Sequence, residues 1–437
     1  MLSHLKAVTE RLRGSTARST LVTFVSMVLP LATGFFAIPP LIESLGDERF
    51  GLLAIVWLVL GYFSVFDLGL GRAVSFAVSE RIGSQKRSSA DTRDILTTSV
   101  PLLLGFGSIG GGVLLVFAEA ISTRLLNVSV DLQSDTTSAL FIAALGLPLV
   151  TCATGLRGYL EGHQHFGKVA IVRSLIGSLV FLSPLFVLPF TEDLSHIVFA
   201  LVLTKVLSVI IYGALSLRIE FSGSQLPAFR LALARRLLRF GGWLTVSNIV
   251  SPIMVVMDRF LIGSILTVSL VTYYVTPFEV VSKLLVFATA VATVAFPKLT
   301  RQIAEQKPGV HRAVLSGTAV IGLAMFPAVA FFVFFGEVFL SWWISEELAA
   351  KSGTVMQILA VGILVNSLAY LPFVAIQSAN RPDITAKIHL LELPIYVLSI
   401  LWLTKNMGIV GTAIAWTARV TLDTILMHFM ASRVLRR

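Results

Sequence analysis

Residues 195–217 read SHIVFALVLTKVLSVIIYGALSL, and this uninterrupted apolar run decides the fold class of the chain. It holds one charged side chain, Lys205, and exceeds the roughly 20 apolar residues that an α-helix needs to cross a bilayer. A strand of a membrane β-barrel would instead be about ten residues long, with apolar and polar residues in alternation. The stretch is therefore predicted to be a membrane-spanning helix.

The composition of all 437 residues agrees with this interpretation. Hydrophobic residues make up 56% of the chain and charged residues 13%, against roughly 25% charged residues in an ordinary soluble domain. The mean hydropathy of +0.87 excludes a soluble globular enzyme. A single cysteine, Cys152, excludes a disulfide framework and a cysteine-based metal site.

Further apolar runs share the length and composition of residues 195–217. The first follows a basic leader and is too long for the apolar core of a signal peptide, so it is expected to remain as a helix. The chain is thus predicted to be an all-α polytopic membrane protein with twelve transmembrane helices. The predicted spans are 19–42, 50–74, 95–118, 138–158, 169–190, 195–217, 241–263, 267–296, 312–335, 354–378, 385–404 and 408–431.

Lysine and arginine residues alternate along the loops between these spans. They collect in the N-terminal leader, in every second loop and in the C-terminal tail, whereas the intervening loops are acidic. Because basic loops stay on the cytoplasmic side of a membrane, both termini are predicted to be cytoplasmic. The net charge of +10 is explained by this topology, and nucleic acid is not an expected partner.

The two sets of six spans resemble each other at a nearly constant offset. Thr204-Lys205-Val206 in span 6, for example, corresponds to Ala418-Arg419-Val420 in span 12. Because six is an even number, both halves start on the same side, and a pseudo-two-fold axis along the membrane normal is expected to relate them. Two such lobes rocking about a central site would suit a secondary transporter.

The repeat also predicts the domain organisation. Residues 1–217 form an N-lobe, residues 218–240 a cytoplasmic linker and residues 241–437 a C-lobe. The linker contains the run Arg235-Arg236-Leu237-Leu238-Arg239. This run either fixes the topology of the chain or lies on anionic lipid head groups.

Ten ionisable side chains other than histidine lie within the predicted spans. Each costs about 2.5–3.5 kcal/mol at the centre of a membrane helix, so most are expected to face a watery cavity or one another. They are Asp67, Arg72, Lys205, Asp258, Arg259, Glu279, Lys283, Glu392, Arg419 and Asp423.

Spacing along a helix predicts pairs among these side chains. Glu279 precedes Lys283 by four residues, which is the favourable order for an ion pair on one helix face. Arg419 and Asp423 have the same spacing in the reversed order, and they are expected to neutralise each other. Lys205 has no acidic residue three or four positions away. With its repeat mate Arg419, it is the preferred contact for an anionic substrate group.

Other patterns allow a structural and a functional interpretation. Asp67 lies in FDLGLGRA, residues 66–73, whose glycines permit either close helix packing or a local helix break. His389 and Glu392 are three residues apart, a spacing that suits a proton relay or a buried polar contact between lobes. His163 and His165 have no metal-ligand partners at suitable spacing, so they are predicted to be solvated, and no metal or cofactor is expected.

The chain resembles the polysaccharide and O-antigen flippases of the multidrug/oligosaccharidyl-lipid/polysaccharide exporter superfamily. The resemblance covers nearly the whole chain. Its most specific parts are FDLGLGR, residues 66–72, at the end of span 2, and GYLEGHQ, residues 158–164, with FGK, residues 166–168, after span 4. It implies that the protein moves an undecaprenyl-pyrophosphate-linked oligosaccharide from the cytoplasmic to the periplasmic leaflet of a bacterial inner membrane by alternating access.

The resemblance also implies partners and roles for individual residues. Expected partners are membrane lipids, H⁺ or Na⁺ as the coupling ion, and the machinery of polysaccharide polymerisation or ligation. The cations that would contact the pyrophosphate and sugar are Lys205 and Arg419, with Arg72, Arg259 and Lys283. The candidates for ion coupling are Asp67, Asp258, Glu279, Glu392 and Asp423.

Alternative functions fit the residues less well. An ion-coupled multidrug or organic cation antiporter of the same superfamily would favour unpaired carboxylates, whereas the unpaired mid-span residue here is Lys205. A lipid II flippase would be expected to have fourteen spans, whereas this chain has room for twelve. The longest outer loops hold no histidine and no nucleophile–base set, so an enzyme is not expected.

Overall fold

The computed structural model describes residues 2–62, 69–83, 89–220, 228–305, 309–379 and 381–435, with side chains from Ser26 onward except at 239–253 and scattered other positions. Within these ranges the chain is α-helical, apart from turns and one π-helical turn, Ile121–Leu125, and it contains no strand. Eight of the described helices, or nine if one bent pair is a single span, are long and apolar enough to cross a membrane. The chain is therefore an all-α multi-pass membrane protein, as predicted.

The described part of the chain forms twelve α-helices. They are α1 Leu2–Tyr62, α2 Leu70–Gly83, α3 Ser89–Ala120, α4 Val130–Gly162, α5 Phe166–Val187, α6 Leu194–Glu220, α7 Leu231–Ile265, α8 Val268–Ser282, α9 Leu285–Ala304, α10 Val310–Trp343, α11 Glu346–Ser378 and α12 Pro382–Leu435.

Two of the longest helices are broken at a glycine. Gly46 in α1 has φ 69°, and Gly408 in α12 has φ 61°. Glycine adopts this left-handed backbone at little steric cost, so each helix can end and restart there. Gly46 lies between predicted spans 1 and 2, and Gly408 is the first residue of predicted span 12, so the predicted count of twelve spans is consistent with both breaks.

Two predicted spans are themselves interrupted. Predicted span 8, residues 267–296, consists of α8 and α9, which are bent by 40° where Lys283 and Leu284 form a turn. Predicted span 2, residues 50–74, is not one continuous helix, because Gly69 has φ 69° and α2 begins after it.

Contacts divide the chain into two compact units. Unit 1 comprises Met1–Gly46, Ile55–Ser122 and Val130–Asn248, and unit 2 comprises Asp47–Ala54, Thr123–Ser129 and Ile249–Arg437. Two short segments from the first third of the chain thus belong to unit 2. The lobes inferred from the repeat, with their boundary in the linker, stay a prediction.

Hydrogen bonds fix both short segments within unit 2. The Asp47 carboxylate accepts a hydrogen bond from the hydroxyl of Tyr273, and the Asp47 carbonyl accepts one from Thr272 Oγ1 at 2.6 Å. Asn127 Nδ2 donates to the carbonyl oxygens of Ser264 at 3.0 Å and Leu266 at 2.7 Å. The end of α7 and the start of α8 are therefore held by residues distant in sequence.

The start of α7 is bound to unit 1 by side chains of α3. Asp94 Oδ1 accepts a hydrogen bond from the backbone N–H of Ala228 at 3.0 Å, and Asp94 Oδ2 lies 2.5 Å from Arg230 Nε. Thr98 Oγ1 accepts one from the backbone N–H of Arg230 at 3.1 Å. The backbone N–H groups of the segment that leads into α7 thus find their acceptors on α3.

The basic run of the linker also contacts protein. Arg236 Nη2 pairs with Glu80 Oε2 of α2 at 2.5 Å. Leu237 is buried in the core of unit 1, among Val74 and Val78 of α2 and Tyr159 of α4. This leucine of the run therefore packs on the protein rather than on lipid.

Candidate functional site

The intramembrane charges of unit 2 gather in a core formed by α7, α8 and α12. His389 Nε2 and Asp423 Oδ1, both from α12, are only 3.5 Å apart. In a straight helix these residues would be separated by about 50 Å. The break at Gly408 therefore folds α12 back on itself and brings its ionisable side chains together.

The carboxylate of Glu279 bridges two cations. Its Oε1 accepts a hydrogen bond from Arg259 Nη2 at 3.1 Å, and its Oε2 accepts one from Lys283 Nζ at 2.8 Å. The guanidinium of Arg259 also lies over the ring of Phe278, 5.5 Å from its centroid. The predicted Glu279–Lys283 pair is confirmed. Arg259 joins it from another helix, which spacing within one helix could not reveal.

Asp258 is fully buried, and its carboxylate is satisfied by two hydrogen bonds. The hydroxyl of Tyr274 donates to Oδ2 at 2.8 Å, and the backbone N–H of Arg259 donates to Oδ1 at 2.7 Å. Two carboxylates and two cations thus form a group without net charge. We call Asp258, Arg259, Glu279 and Lys283 the neutral group.

Arg419 lies beside this group without a carboxylate partner. Among the described residues no carboxylate oxygen lies within ion-pair distance of its guanidinium, and its Nε is buried without an acceptor. Its closest contacts are Met254, 3.6 Å from Nη1 to Sδ, and the Tyr396 ring, 5.6 Å from the guanidinium carbon to the centroid. The expected pairing with Asp423 is wrong, because Asp423 faces His389 instead.

His389, Glu392 and Asp423 form a second group, which we call the acidic group. One ligand atom from each lies within 4.8 Å of the others. Glu392 is only 1% exposed, and neither of its carboxylate oxygens accepts a hydrogen bond from a described donor. The predicted polar contact of His389 and Glu392 thus lies within unit 2 and includes a further carboxylate.

The remaining predicted site residues lie in unit 1 or outside the described ranges. Lys205 is half-buried on α6 and makes no ion pair with a described residue. Arg72 is exposed on α2. Asp67 lies outside the described residues. Lys205 and Arg419 are therefore the two predicted anion contacts at mid-span that form no direct ion pair with a described carboxylate.

Sequence reasoning missed the aromatic residues that frame these charges. Tyr274 donates to Asp258, and Tyr396 lies under Arg419. The sequence could have pointed to Tyr396, because it follows Glu392 by four residues and therefore lies on the same helix face.

The GYLEGHQ motif at residues 158–164 is a packing element rather than a chemical site. Tyr159 is fully buried, and the carbonyl oxygen of Gly162 accepts a hydrogen bond from Ser79 Oγ of α2 at 3.2 Å. The prediction that His163 is solvated is wrong, because its side chain is half-buried. Its Nδ1 donates a hydrogen bond to the Tyr159 carbonyl at 3.0 Å, and its ring packs on that tyrosine.

Solved structures share this fold over nearly the whole chain. A multidrug resistance MATE family transporter of the MOP superfamily, in an inward-facing conformation, matches with a TM-score of 0.78 at 13% identity, covering 96% of this chain and 97% of that chain. A MOP superfamily transporter from Pyrococcus furiosus matches with a TM-score of 0.68 at 14% identity, covering 96% of each. At these identities the likeness shows the fold alone.

Sequence relatives are more specific. A Shigella flexneri protein named as an O-antigen transporter is 31% identical over 412 residues, covering 91% of this chain and 96% of that protein. A Haloferax volcanii protein named as the low-salt glycan biosynthesis flippase Agl15 is 24% identical over 422 residues, covering 96% of this chain and 84% of that protein. The profile of the polysaccharide biosynthesis protein family matches residues 16–303. With two thirds of its length matched by that profile, the chain belongs to the polysaccharide biosynthesis protein family.

Proposed function

We propose that this protein is a flippase for lipid-linked oligosaccharide. It moves an undecaprenyl-pyrophosphate-linked repeat unit from the cytoplasmic to the periplasmic leaflet of a bacterial inner membrane, with both termini in the cytoplasm. The relatives that support the proposal are named as a transporter and as a flippase rather than as catalysts. Both align over more than nine tenths of the chain.

The observation that best supports an anionic lipid-linked substrate is the state of Arg419. A guanidinium at membrane depth is costly unless something anionic pairs with it. No described carboxylate lies within ion-pair distance of Arg419, whereas Arg259 and Lys283 already share Glu279. A pyrophosphate would supply the anion, since arginine binds phosphate oxygens through two parallel N–H donors.

Lys205 is proposed as the second contact, in unit 1. Its ammonium has no ion-pair partner among the described residues, and it occupies the position in the repeat that corresponds to Arg419. Under alternating access, the polar head of the substrate is expected to need a cationic contact in each unit while its lipid tail stays in the bilayer. Arg72, exposed near the start of α2, is a further proposed contact in unit 1.

The proposal is tested by reconstituting the purified protein into vesicles that contain a lipid-linked oligosaccharide. The fraction of glycan that becomes accessible to an external glycosidase is measured over time. Wild-type protein and the control Arg433→Ala, an exposed cation near the end of α12, are expected to expose the glycan equally. Lys205→Ala and Arg419→Ala are expected to slow exposure at least tenfold.

Two results would overturn the proposal. In the first, wild-type vesicles move no lipid-linked glycan but exchange an organic cation, which would favour the antiporter alternative. In the second, both alanine variants flip the glycan at the wild-type rate.

A further inference from the structure

Unit 1 contains a charged cavity that the proposed function does not use. It has a volume of about 340 Å³ and lies between the end of α2, the start of α3 and the start of α7. Ligand pockets in proteins usually measure about 300–1,000 Å³, so the cavity is large enough for a small ligand. The charged side chains of its lining are Arg81, Arg230 and Arg236, with Glu80 and Asp94.

Both carboxylates of the lining already bind an arginine. Asp94 of α3 is almost completely buried, and its Oδ2 lies 2.5 Å from Arg230 Nε. Glu80 of α2 is half-exposed, and its Oε2 accepts a hydrogen bond from Arg236 Nη2 at 2.5 Å. Each of these contacts uses one nitrogen of a guanidinium, which has five N–H donors in all. Arg230 and Arg236 therefore keep donors for a further anionic group.

The charge and the donors of the cavity fit a phosphate group. The planar guanidinium of arginine matches the geometry of phosphate oxygens. Three guanidinium groups and two carboxylates give the lining one excess positive charge. A phosphodiester carries one negative charge, so its binding would leave the cavity neutral. A pyrophosphate diester carries two negative charges and matches this lining less well.

Apolar side chains beside the cavity indicate that its occupant also has an apolar part. Phe229 and Leu231, which flank Arg230 in the sequence, are each more than half exposed. Phe76 is exposed to the same degree and lies one turn before Glu80 on the same face of α2. Exposed apolar side chains next to arginines are typical of protein segments at the boundary between acyl chains and head groups.

We propose that this cavity binds the phosphate head group of one anionic phospholipid of the bilayer. Arg230 and Arg236 hold the phosphate from the start of α7, and Arg81 contributes positive charge from α2. The acyl chains lie along the three exposed apolar side chains. Because the bound lipid contacts α2 and the start of α7 together, it should stabilise the attachment of α7 to unit 1. The inference does not depend on what the protein transports.

Binding is tested by native mass spectrometry of the full-length, delipidated protein titrated with phosphatidylglycerol or phosphatidylcholine. We expect one phosphatidylglycerol to bind at concentrations at which phosphatidylcholine does not. Arg236→Gln should weaken this binding about tenfold, the lower end of what a charged hydrogen bond contributes. Arg235→Gln is the matched control, because it removes the same charge from an exposed neighbour outside the cavity lining.

A further variant separates a lipid contact from a purely structural role of Arg236. Glu80→Gln removes the described carboxylate partner of Arg236 but keeps the guanidinium. If Arg236 binds lipid, Glu80→Gln should bind phosphatidylglycerol at least as tightly as wild type, because a competing carboxylate is gone. If Arg236 only anchors α7 through this ion pair, Glu80→Gln and Arg236→Gln lose binding alike, and the proposal fails.

Thermal unfolding of the same proteins gives a second measurement. A ligand that binds only the folded state raises the unfolding midpoint. Phosphatidylglycerol should therefore raise the midpoints of wild type, Arg235→Gln and Glu80→Gln more than that of Arg236→Gln. An equal rise in all four proteins would contradict a site at this cavity.

Three other results would overturn the proposal. Equal binding of phosphatidylcholine would show a contact with acyl chains alone. Displacement of phosphatidylglycerol by inorganic phosphate would assign the cavity to a soluble ligand, and displacement by a lower concentration of undecaprenyl pyrophosphate would assign it to the carrier of the proposed substrate. None of these measurements requires glycan movement, so a failure of wild-type protein to flip glycan would refute the proposed function and leave the lipid site intact.

Discussion

The backbone of Gly158 in α4 lies directly against the carbonyl oxygen of Gly71 in α2. A Cβ atom on Gly158 would be 2.1 Å from that oxygen, which is closer than any real contact. Because the obstacle is backbone rather than a flexible side chain, the two helices would have to move apart to admit a methyl group. Small residues at such crossings allow membrane helices to pack closely.

The first prediction follows from this contact. Gly158→Ala should destabilise unit 1 by about 1–3 kcal/mol, the usual cost of overpacking. Gly112→Ala on α3 is the control, since a Cβ there meets nothing within 4 Å. Thermal unfolding in detergent should show a lower midpoint for Gly158→Ala alone. Equal midpoints for both variants would contradict the packing role of this glycine.

A second prediction concerns the Glu279 bridge. Glu279→Gln removes the carboxylate that bridges Arg259 and Lys283, so the neutral group keeps two cations against the single carboxylate of Asp258. Breaking a buried pair in this way costs about 3–5 kcal/mol. Lys283→Met should cost much less, because the Lys283 side chain is 41% exposed at the bend between α8 and α9. Unfolding midpoints of the two variants compare these costs directly, and the interpretation fails if Lys283→Met is the more harmful change.

The third prediction separates charge from geometry at the two proposed anion contacts. Arg419→Lys keeps the charge but loses the paired N–H donors that suit phosphate oxygens, so glycan flipping should fall about tenfold. Lys205→Arg keeps a charge on a longer donor and should retain most of the activity. The vesicle assay measures both rates. Full activity of Arg419→Lys would show that charge alone suffices at this position.

A fourth prediction addresses the attachment of α7 to α3. Asp94→Ala should lower the stability of unit 1 by about 1–3 kcal/mol, because it removes an acceptor for a charged group and leaves the N–H of Ala228 unpaired. Arg235→Ala, an exposed neighbour of the same basic run, should have little effect. Chemical unfolding of the two variants tests this difference. An unchanged stability of Asp94→Ala would show that the apolar contacts of Leu237 hold this segment without help.

The fifth prediction is a dependence of stability on pH. Burial lowers the pKa of His163 below its ordinary value of 6.5. The unfolded chain therefore takes up a proton at this position before the folded chain does. Its contribution to stability is complete above pH 6.5 and is lost as the pH falls below that value toward the folded-state pKa. His163→Gln should remove this part of the dependence in thermal unfolding measured from pH 8 to pH 5, whereas an identical pH profile for variant and wild type would contradict it.

Fold class could be predicted from sequence because continuous apolar runs such as residues 195–217 leave a chain few alternatives in a membrane. The Glu279–Lys283 pair could also be predicted, since four-residue spacing fixes two side chains on one helix face. Arg259 in the same bridge, and Asp423 beside His389, could not. Their contacts depend on how helices pack and on where α12 reverses, and local spacing contains no information about either.

The helix breaks at glycine residues could not be predicted from the sequence either. Gly46, Gly69, Gly309 and Gly408 adopt a left-handed backbone, but the other glycines in the described part of the chain do not. Glycine content alone therefore does not mark a break. The FDLGLGR segment shows the difficulty within a few residues, because Gly69 turns the chain while Gly71 permits the contact with Gly158.

The assignment of Asp47–Ala54 and Thr123–Ser129 to unit 2 has a consequence for biosynthesis. These segments leave the ribosome long before Tyr273 and Leu266, the residues to which they bind. Unit 2 therefore cannot be completed until most of the chain has been made and inserted. A chain cut between residues 221 and 227 should yield a C-terminal fragment that is degraded when expressed alone and rescued when the N-terminal fragment is made in the same cell.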